Sequence, residues 1–189
     1  MKNIITFSLL ILIISTSNSF SKIEIKKVKK HNIELIKFQS PDNKFPGKDD
    51  IVAQIHFPKN FSGKLPVIIH QHGSNRDGLK FKRWGGKTDE WGKRISKVGV
   101  KRGYAVVLID AFYKRGITPQ NKGKFPNAVR IAINLKNILQ KDERFDKNKF
   151  YFTGFSYGAS QTLKFQDKRL SGLKDNFKAV VAGEPGCNT

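Results

Sequence analysis

A serine flanked by glycines, in the stretch FTGFSYGAS at residues 152–160, is the segment best suited to covalent chemistry. A serine hydroxyl is a weak nucleophile unless the fold holds it exposed, next to a base and to hydrogen-bond donors. Gly154 and Gly158 lie two residues on either side of Ser156 and leave room for a sharp turn from a strand into a helix. The pattern predicts that Ser156 is an acyl-transfer nucleophile; a serine in an ordinary glycine loop is the alternative.

A second glycine-containing segment, IIHQHGSNRDG at residues 68–78, is expected to provide hydrogen-bond donors. Acyl transfer develops negative charge on the carbonyl oxygen, and paired backbone N–H groups stabilise it. A strand that ends in His-Gly before a polar loop is a typical source of one such donor. We expect the oxyanion donors to be the N–H groups of Ser74 and Tyr157. A plain glycine turn is the alternative.

The histidines give a weaker signal. His70 and His72 lie two residues apart and project to the same side of an extended strand, which raises the hypothesis of a metal site. Binuclear zinc hydrolases need a longer run of ligands, and Gly73 interrupts it here, so we expect neither a metal nor an organic cofactor. His72 is expected to be structural rather than a catalytic base. The remaining candidates are also expected to be structural: His31, His56 and Asp110.

The elements around these residues alternate between strands and helices. Residues 22–30 and 32–40 alternate apolar and polar side chains, which predicts a strand pair, and residues 51–57 follow as a third strand. Short apolar runs then precede helical segments: PVIIHQHG before KTDEWGKRISKVGVKRG, YAVVLID before PNAVRIAINLKNILQ, and KFYFTGFS before YGASQTLKFQ, with FKAVVAG last. The pattern predicts an α/β fold, with a mostly parallel sheet flanked by helices and an antiparallel N-terminal edge.

The N-terminus has the features of a secretory signal peptide. A basic start, an apolar run from Ile4 to Ile14 and a small polar region before residue 22 predict that residues 1–21 are removed. The protein is then secreted or periplasmic, and its mature part, residues 22–189, is not embedded in a membrane. The apolar run is short for a membrane span, and an uncleaved anchor is the alternative.

The composition is strongly basic, with 36 Lys+Arg against 15 Asp+Glu and a net charge of +21. These charges are scattered and no nucleic-acid-binding signature organises them, so we expect no specific nucleic-acid partner. A preference for anionic substrates or surfaces is the alternative to a merely lysine-rich composition. The single cysteine, Cys187, is unusual for an exported protein and is either free or paired with another chain. The sequence does not specify an oligomeric state.

The order of these segments resembles the α/β-hydrolase superfamily, and dienelactone hydrolase-like proteins within it. The resemblance covers roughly residues 50–187 and is most specific at the Ser156 turn and its lead-in, RFDKNKFYF, with PGC at residues 185–187 as a further similarity. It implies a serine hydrolase acting on a small ester or similar acyl substrate. Dienelactone hydrolases use a cysteine nucleophile in the cytosol, so their substrate does not carry over. The Ser-Tyr-Gly at the turn is also similar to prolyl oligopeptidase-type peptidases.

The resemblance also implies an acid and then a histidine after the nucleophile. All histidines of this sequence precede Ser156, and two further βα steps do not fit after Gly183. We therefore expect residues 22–189 to be a partial α/β-hydrolase domain, truncated at its C-terminus, inactive or weakly active alone, and poorly soluble or of low stability. A complete chain that has lost catalysis and binds anionic partners is one alternative, and His72 acting as the base is another.

Overall fold

The computed structural model describes residues 23–28, 32–81, 85–118 and 124–185. The predicted signal peptide, His31 and Cys187 lie outside them. In chain order the described strands are β1 (Glu24–Val28), β2 (Ile33–Gln39), β3 (Asp50–His56), β4 (Leu65–Gln71), β5 (Leu79–Lys80), β6 (Lys87–Thr88), β7 (Ala105–Asp110), β8 (Phe145–Phe155) and β9 (Ala179–Gly183). The α-helices are α1 (Glu90–Lys101), α2 (Ala128–Leu139) and α3 (Tyr157–Leu163). Two 3₁₀ segments, Lys164–Gln166 and Lys168–Asn176, follow α3.

Seven of these strands form one mixed sheet in the order β1-β2-β3-β7-β4-β8-β9. Strands β7, β4, β8 and β9 are parallel to one another, whereas β1, β2 and β3 pair antiparallel along the other side. The predicted α/β architecture with an antiparallel N-terminal edge is therefore confirmed. The parallel strands all end at the edge of the sheet where Ser156 follows β8, and open α/β sheets bind their ligands at that edge.

Helices pack on both faces of the sheet because successive strand residues point to opposite sides. One face meets α2 and α3 in a large apolar cluster that includes Ile69, Val107 and Phe152. The other face meets α1 in a smaller cluster that includes Val106 and Leu108. The predicted apolar stripe of α2 is buried or partly buried along its length: Ala128, Ile131, Leu135, Ile138 and Leu139.

Several predicted element boundaries were wrong. The segment Lys87–Thr88 was predicted as helix, but it pairs with β5 as a short hairpin, and α1 begins only after Asp89 caps it. Strand β8 begins at Phe145 rather than Lys149. The helix after Ser156 is α-helical only to Leu163. Among the described residues, no helix has the length and apolar character needed to cross a membrane.

Candidate active site

Ser156 lies at an abrupt turn between β8 and α3. Its φ of 51° and ψ of −112° are strained for a residue with a side chain, and its side chain is partly exposed. Two backbone hydrogen bonds hold the turn: the Ser156 N–H donates to the Gly183 carbonyl at 3.0 Å, and the Ser156 carbonyl accepts from the Ser160 N–H at 3.0 Å. The strand-to-helix turn that the sequence predicts is present, with Ser156 at its apex.

The two flanking glycines are required by close backbone packing. A Cβ on Gly154 would lie 2.2 Å from the backbone of Gly158, and a Cβ on Gly158 would lie 2.3 Å from the Gln71 carbonyl oxygen. Backbone atoms cannot yield to such a contact as a flexible side chain can. The absence of both side chains therefore lets α3 start directly against β8 and against the end of β4.

The segment after β4 brings the second predicted donor next to Ser156. A Cβ on Gly73 would lie 3.2 Å from the Ser156 Cβ, so the Gly73–Ser74 loop passes alongside the serine. The Gly73 N–H donates to Asp89 Oδ2 at 2.6 Å. Among the described residues, the Ser74 N–H has no hydrogen-bond acceptor, and Ser74 is partly exposed. The structure thus brings Gly73, the residue before Ser74, next to Ser156 from a distant part of the chain.

Tyr157, the other predicted donor, is held in place by its side chain. Its ring is buried and stacks on Phe125 at 4.7 Å between centroids, and its hydroxyl donates to the Pro126 carbonyl at 2.6 Å. Burial raises the pKa of the Tyr157 phenol above its usual value, so the group stays a neutral donor. This anchor fixes the first residue of α3, and with it the direction of the Tyr157 N–H.

His72 is completely buried and both of its ring nitrogens are engaged. Nδ1 donates to the Gly73 carbonyl at 2.5 Å, and Nε2 accepts from the Ala111 N–H at 3.2 Å. In these two bonds the hydrogen lies on Nδ1, and the Nε2 lone pair faces the backbone. This arrangement fits the structural role predicted for His72 and leaves no nitrogen to act as a base for Ser156. Within the described part of the chain, no His, Cys, Asp and Glu group is arranged to hold a metal ion.

Asp110 has the structural role expected of it at the end of β7. Its carboxylate accepts from Arg76 Nη1 at 2.5 Å and from the Lys87 N–H at 2.8 Å. Burial opposes its ionisation, but the Arg76 guanidinium and the Lys87 N–H hold the pKa of Asp110 below its usual value. The ion pair with Arg76 was not predicted from the sequence.

The sequence analysis also missed the roles of Asp89 and His70 near the site. Asp89 is buried at the N-terminus of α1, and its Oδ1 accepts from His70 Nε2 at 3.0 Å. An Asp one residue before a helix is a recognisable cap. The hydrogen bond from the Gly73 N–H to Asp89 joins positions sixteen residues apart, and no local sequence signal predicts it.

No protein-family model matches this sequence, and no curated protein matches it. Solved structures do share its architecture. A protein assigned as a dienelactone hydrolase, from Klebsiella pneumoniae subsp. pneumoniae MGH 78578, superposes with a TM-score of 0.58 at 16% identity, over 83% of this chain and 62% of its own. Acetyl xylan esterase 1 from Thermoanaerobacterium sp. JW/SL YS485 gives a TM-score of 0.55 at 20% identity, over 87% of this chain and 53% of its own.

A glucuronoyl esterase from Solibacter usitatus gives a TM-score of 0.57 at 16% identity, over 88% of this chain and 52% of its own. The chain thus spans 52 to 62% of the length of these three structures. At such low identities the likeness concerns the arrangement of strands and helices rather than the chemistry. The mixed sheet, the flanking helices and the turn at Ser156 establish that this chain has the α/β-hydrolase fold.

Proposed function

We propose that this chain is the nucleophile-bearing part of a serine hydrolase that acts on carboxylic esters, with an N-terminal segment for export. Ser156 attacks the ester carbonyl, and the N–H groups of Tyr157 and Ser74 stabilise the oxyanion. The observation that carries the proposal is the strained backbone of Ser156 between β8 and α3, beside the Gly73–Ser74 loop. An ester is favoured over a peptide because two of the three structures described above are named as esterases.

The reaction also requires a general base, and the hydrogen bonds of the described histidines all go to groups other than Ser156. Every histidine precedes Ser156, and His72 uses both ring nitrogens elsewhere. In this proposal the base and its acid partner come from polypeptide outside the 189 residues. Oxyanion donors alone sustain a reaction that is orders of magnitude slower than that of a complete site.

A fluorophosphonate probe tests the proposal, because it bonds covalently to a serine that is positioned for acyl chemistry. The purified chain is incubated with the probe, with and without added imidazole as a substitute for the missing base, and the modified residue is identified by peptide mass mapping. We expect slow modification of Ser156 that imidazole accelerates and that unfolding in urea abolishes.

Two variants serve as controls for this experiment. Ser156→Ala should lose the modification, whereas Ser160→Ala, one turn further along α3, should keep it. The proposal is wrong if the folded chain is not modified at Ser156 even with imidazole, or if Ser156→Ala takes up the probe as fast as the original chain.

A further inference from the structure

The carboxylate of Asp89 binds three hydrogen-bond donors from three parts of the chain. Oδ1 accepts from the Gly92 N–H at 2.7 Å, within α1, and from His70 Nε2 at 3.0 Å, on β4. Oδ2 accepts from the Gly73 N–H at 2.6 Å. Burial disfavours the charged form, yet these donors outweigh it and hold the pKa of Asp89 below its usual value. A buried carboxylate anion therefore ties the loop next to Ser156 to the start of α1.

Two hydrogen bonds, one to its N–H and one to its carbonyl, fix the orientation of Gly73. This orientation determines which backbone N–H of the loop can bind a ligand. Asp89 binds the Gly73 N–H, and His72 Nδ1 binds the Gly73 carbonyl from the buried side. In a planar trans peptide the carbonyl and the following N–H point in opposite directions. The Ser74 N–H therefore points away from the buried His72 ring, and Ser74 itself is partly exposed.

Helix capping alone does not account for an aspartate at this position. Asn127 caps α2 with one oxygen, which accepts from the Arg130 N–H at 3.1 Å near the surface. A cap needs a single acceptor, and serine, threonine and asparagine all provide one without a buried charge. The second oxygen of Asp89 serves Gly73 instead, and this contact distinguishes Asp89 from Asn127.

We infer that Asp89 is a positioning residue for the proposed oxyanion loop: it pins the Gly73 N–H so that the Ser74 N–H is the donor offered to the substrate. The inference rests on the proposed function for its chemical consequence, although the pinning itself is a property of the folded loop. His70 supports the arrangement by donating to the same carboxylate from β4.

The experiment compares Asp89→Ser with Asn127→Ser, since both variants retain a serine cap and only the first removes the second oxygen. Amide hydrogen exchange of Gly73, followed by NMR on the folded chain, reports the pinning directly. We expect Gly73 to exchange at least about tenfold faster in Asp89→Ser while the amides of α1 stay protected. Imidazole-assisted modification of Ser156 by the fluorophosphonate should slow by about tenfold or more, because a donor is misplaced. Asn127→Ser should change neither rate.

The two readouts separate the inference from the proposed function. Unchanged Gly73 exchange in Asp89→Ser overturns the inference, whatever happens at Ser156. If Gly73 exchanges faster and Ser156 still reacts at the original rate, the positioning role is also overturned. If the original chain is not modified at all, the proposed function fails, and the Gly73 exchange still decides whether Asp89 holds the loop. Asp89→Glu keeps the charge, so its Gly73 exchange and its Ser156 modification should both lie between those of Asp89→Ser and those of the original chain.

Discussion

The two faces of the sheet at β8 and β9 are covered very differently. On the face toward α3, Phe152 packs against Phe165 and Phe177, with ring centroids 5.3 Å away in both cases. On the face toward α1, a groove of about 520 Å³ runs along the strands, lined by side chains that include Trp91, Val98 and Val181. The same two strands therefore contribute to a closed core on one side and to an open apolar surface on the other.

Adjacent residues of β9 show this difference most clearly. Val180 packs against the large apolar cluster, whereas Val181 is 62% exposed. Strands of a parallel sheet are normally covered on both faces, and their sequences are correspondingly apolar throughout. The sequence AVVAG of β9 has this character, although the described residues cover only one of its faces. The apolar sequence of a strand thus indicates that both of its faces can be buried. The neighbouring elements determine which of these faces is covered.

The largest expected effect comes from removing a ring on the closed face. Phe152→Ala deletes a buried side chain whose neighbours cannot collapse fully into the cavity, so we expect the free energy of unfolding to fall by about 4 kcal/mol. Tyr151→Ala, one residue earlier on the groove side, should cost about 1 kcal/mol because its ring is only partly buried. Urea denaturation of both variants measures the difference. Equal losses would show that the two faces are equally packed, contrary to the comparison.

The α/β architecture could be predicted from the sequence because its signals are local. Apolar runs such as YAVVLID, glycines after helices and the stripe on α2 each follow from side-chain pattern alone. The hairpin of β5 and β6 was missed, since two-residue strands carry no periodicity and Thr88 and Asp89 also fit a helix start. The open groove could not be predicted either, because pattern indicates that a strand is apolar without indicating which elements cover it.

The candidate site likewise has one part that local sequence signals predict and one part that depends on tertiary packing. The turn at Ser156 could be predicted because Gly154, Ser156 and Gly158 lie close together in the sequence and their spacing has a steric reason. The donor expected at Ser74 rests on the His-Gly motif that follows β4, and it stays a prediction. The pinning of Gly73 by Asp89 and the ion pair of Arg76 with Asp110 depend on how α1 and β7 pack beside β4. Such long-range contacts follow from the assembled fold, and no short motif encodes them.

The face toward α1 is covered near β3, where Val52 and Gln54 are buried, although it is open near β9 at Val181. A pH titration tests the covered part. His56 lies on β3, and burial lowers its pKa from 6.5 to about 4. Folding therefore favours the neutral ring, and the associated stability is complete above pH 6.5 and is lost as the pH falls toward 4. We expect the free energy of unfolding to drop by about 2 kcal/mol between pH 7 and pH 4.5 through this residue.

The variant His56→Gln isolates the contribution of His56, because glutamine does not titrate. Urea midpoints measured across this pH range should fall less steeply for His56→Gln than for the original chain. The carboxylates with lowered pKa values, such as Asp89 and Asp110, lose their contributions only below this range. Parallel pH profiles for the two chains would mean that the ring of His56 is accessible to water and that this half of the α1 face is open as well.

The smallest expected effect belongs to the groove itself. Val181→Glu places a charge where the side chain is already largely in water, so we expect the free energy of unfolding to change by less than about 0.5 kcal/mol. Val180→Glu on the adjacent position should be far more costly, because it buries a carboxylate against the apolar cluster. Urea denaturation again provides the measurement, and light scattering should show less self-association for Val181→Glu, since the charge interrupts an exposed apolar edge. A loss above about 1.5 kcal/mol for Val181→Glu would mean that this residue is buried in the folded protein, and the contrast between the two faces would then be wrong.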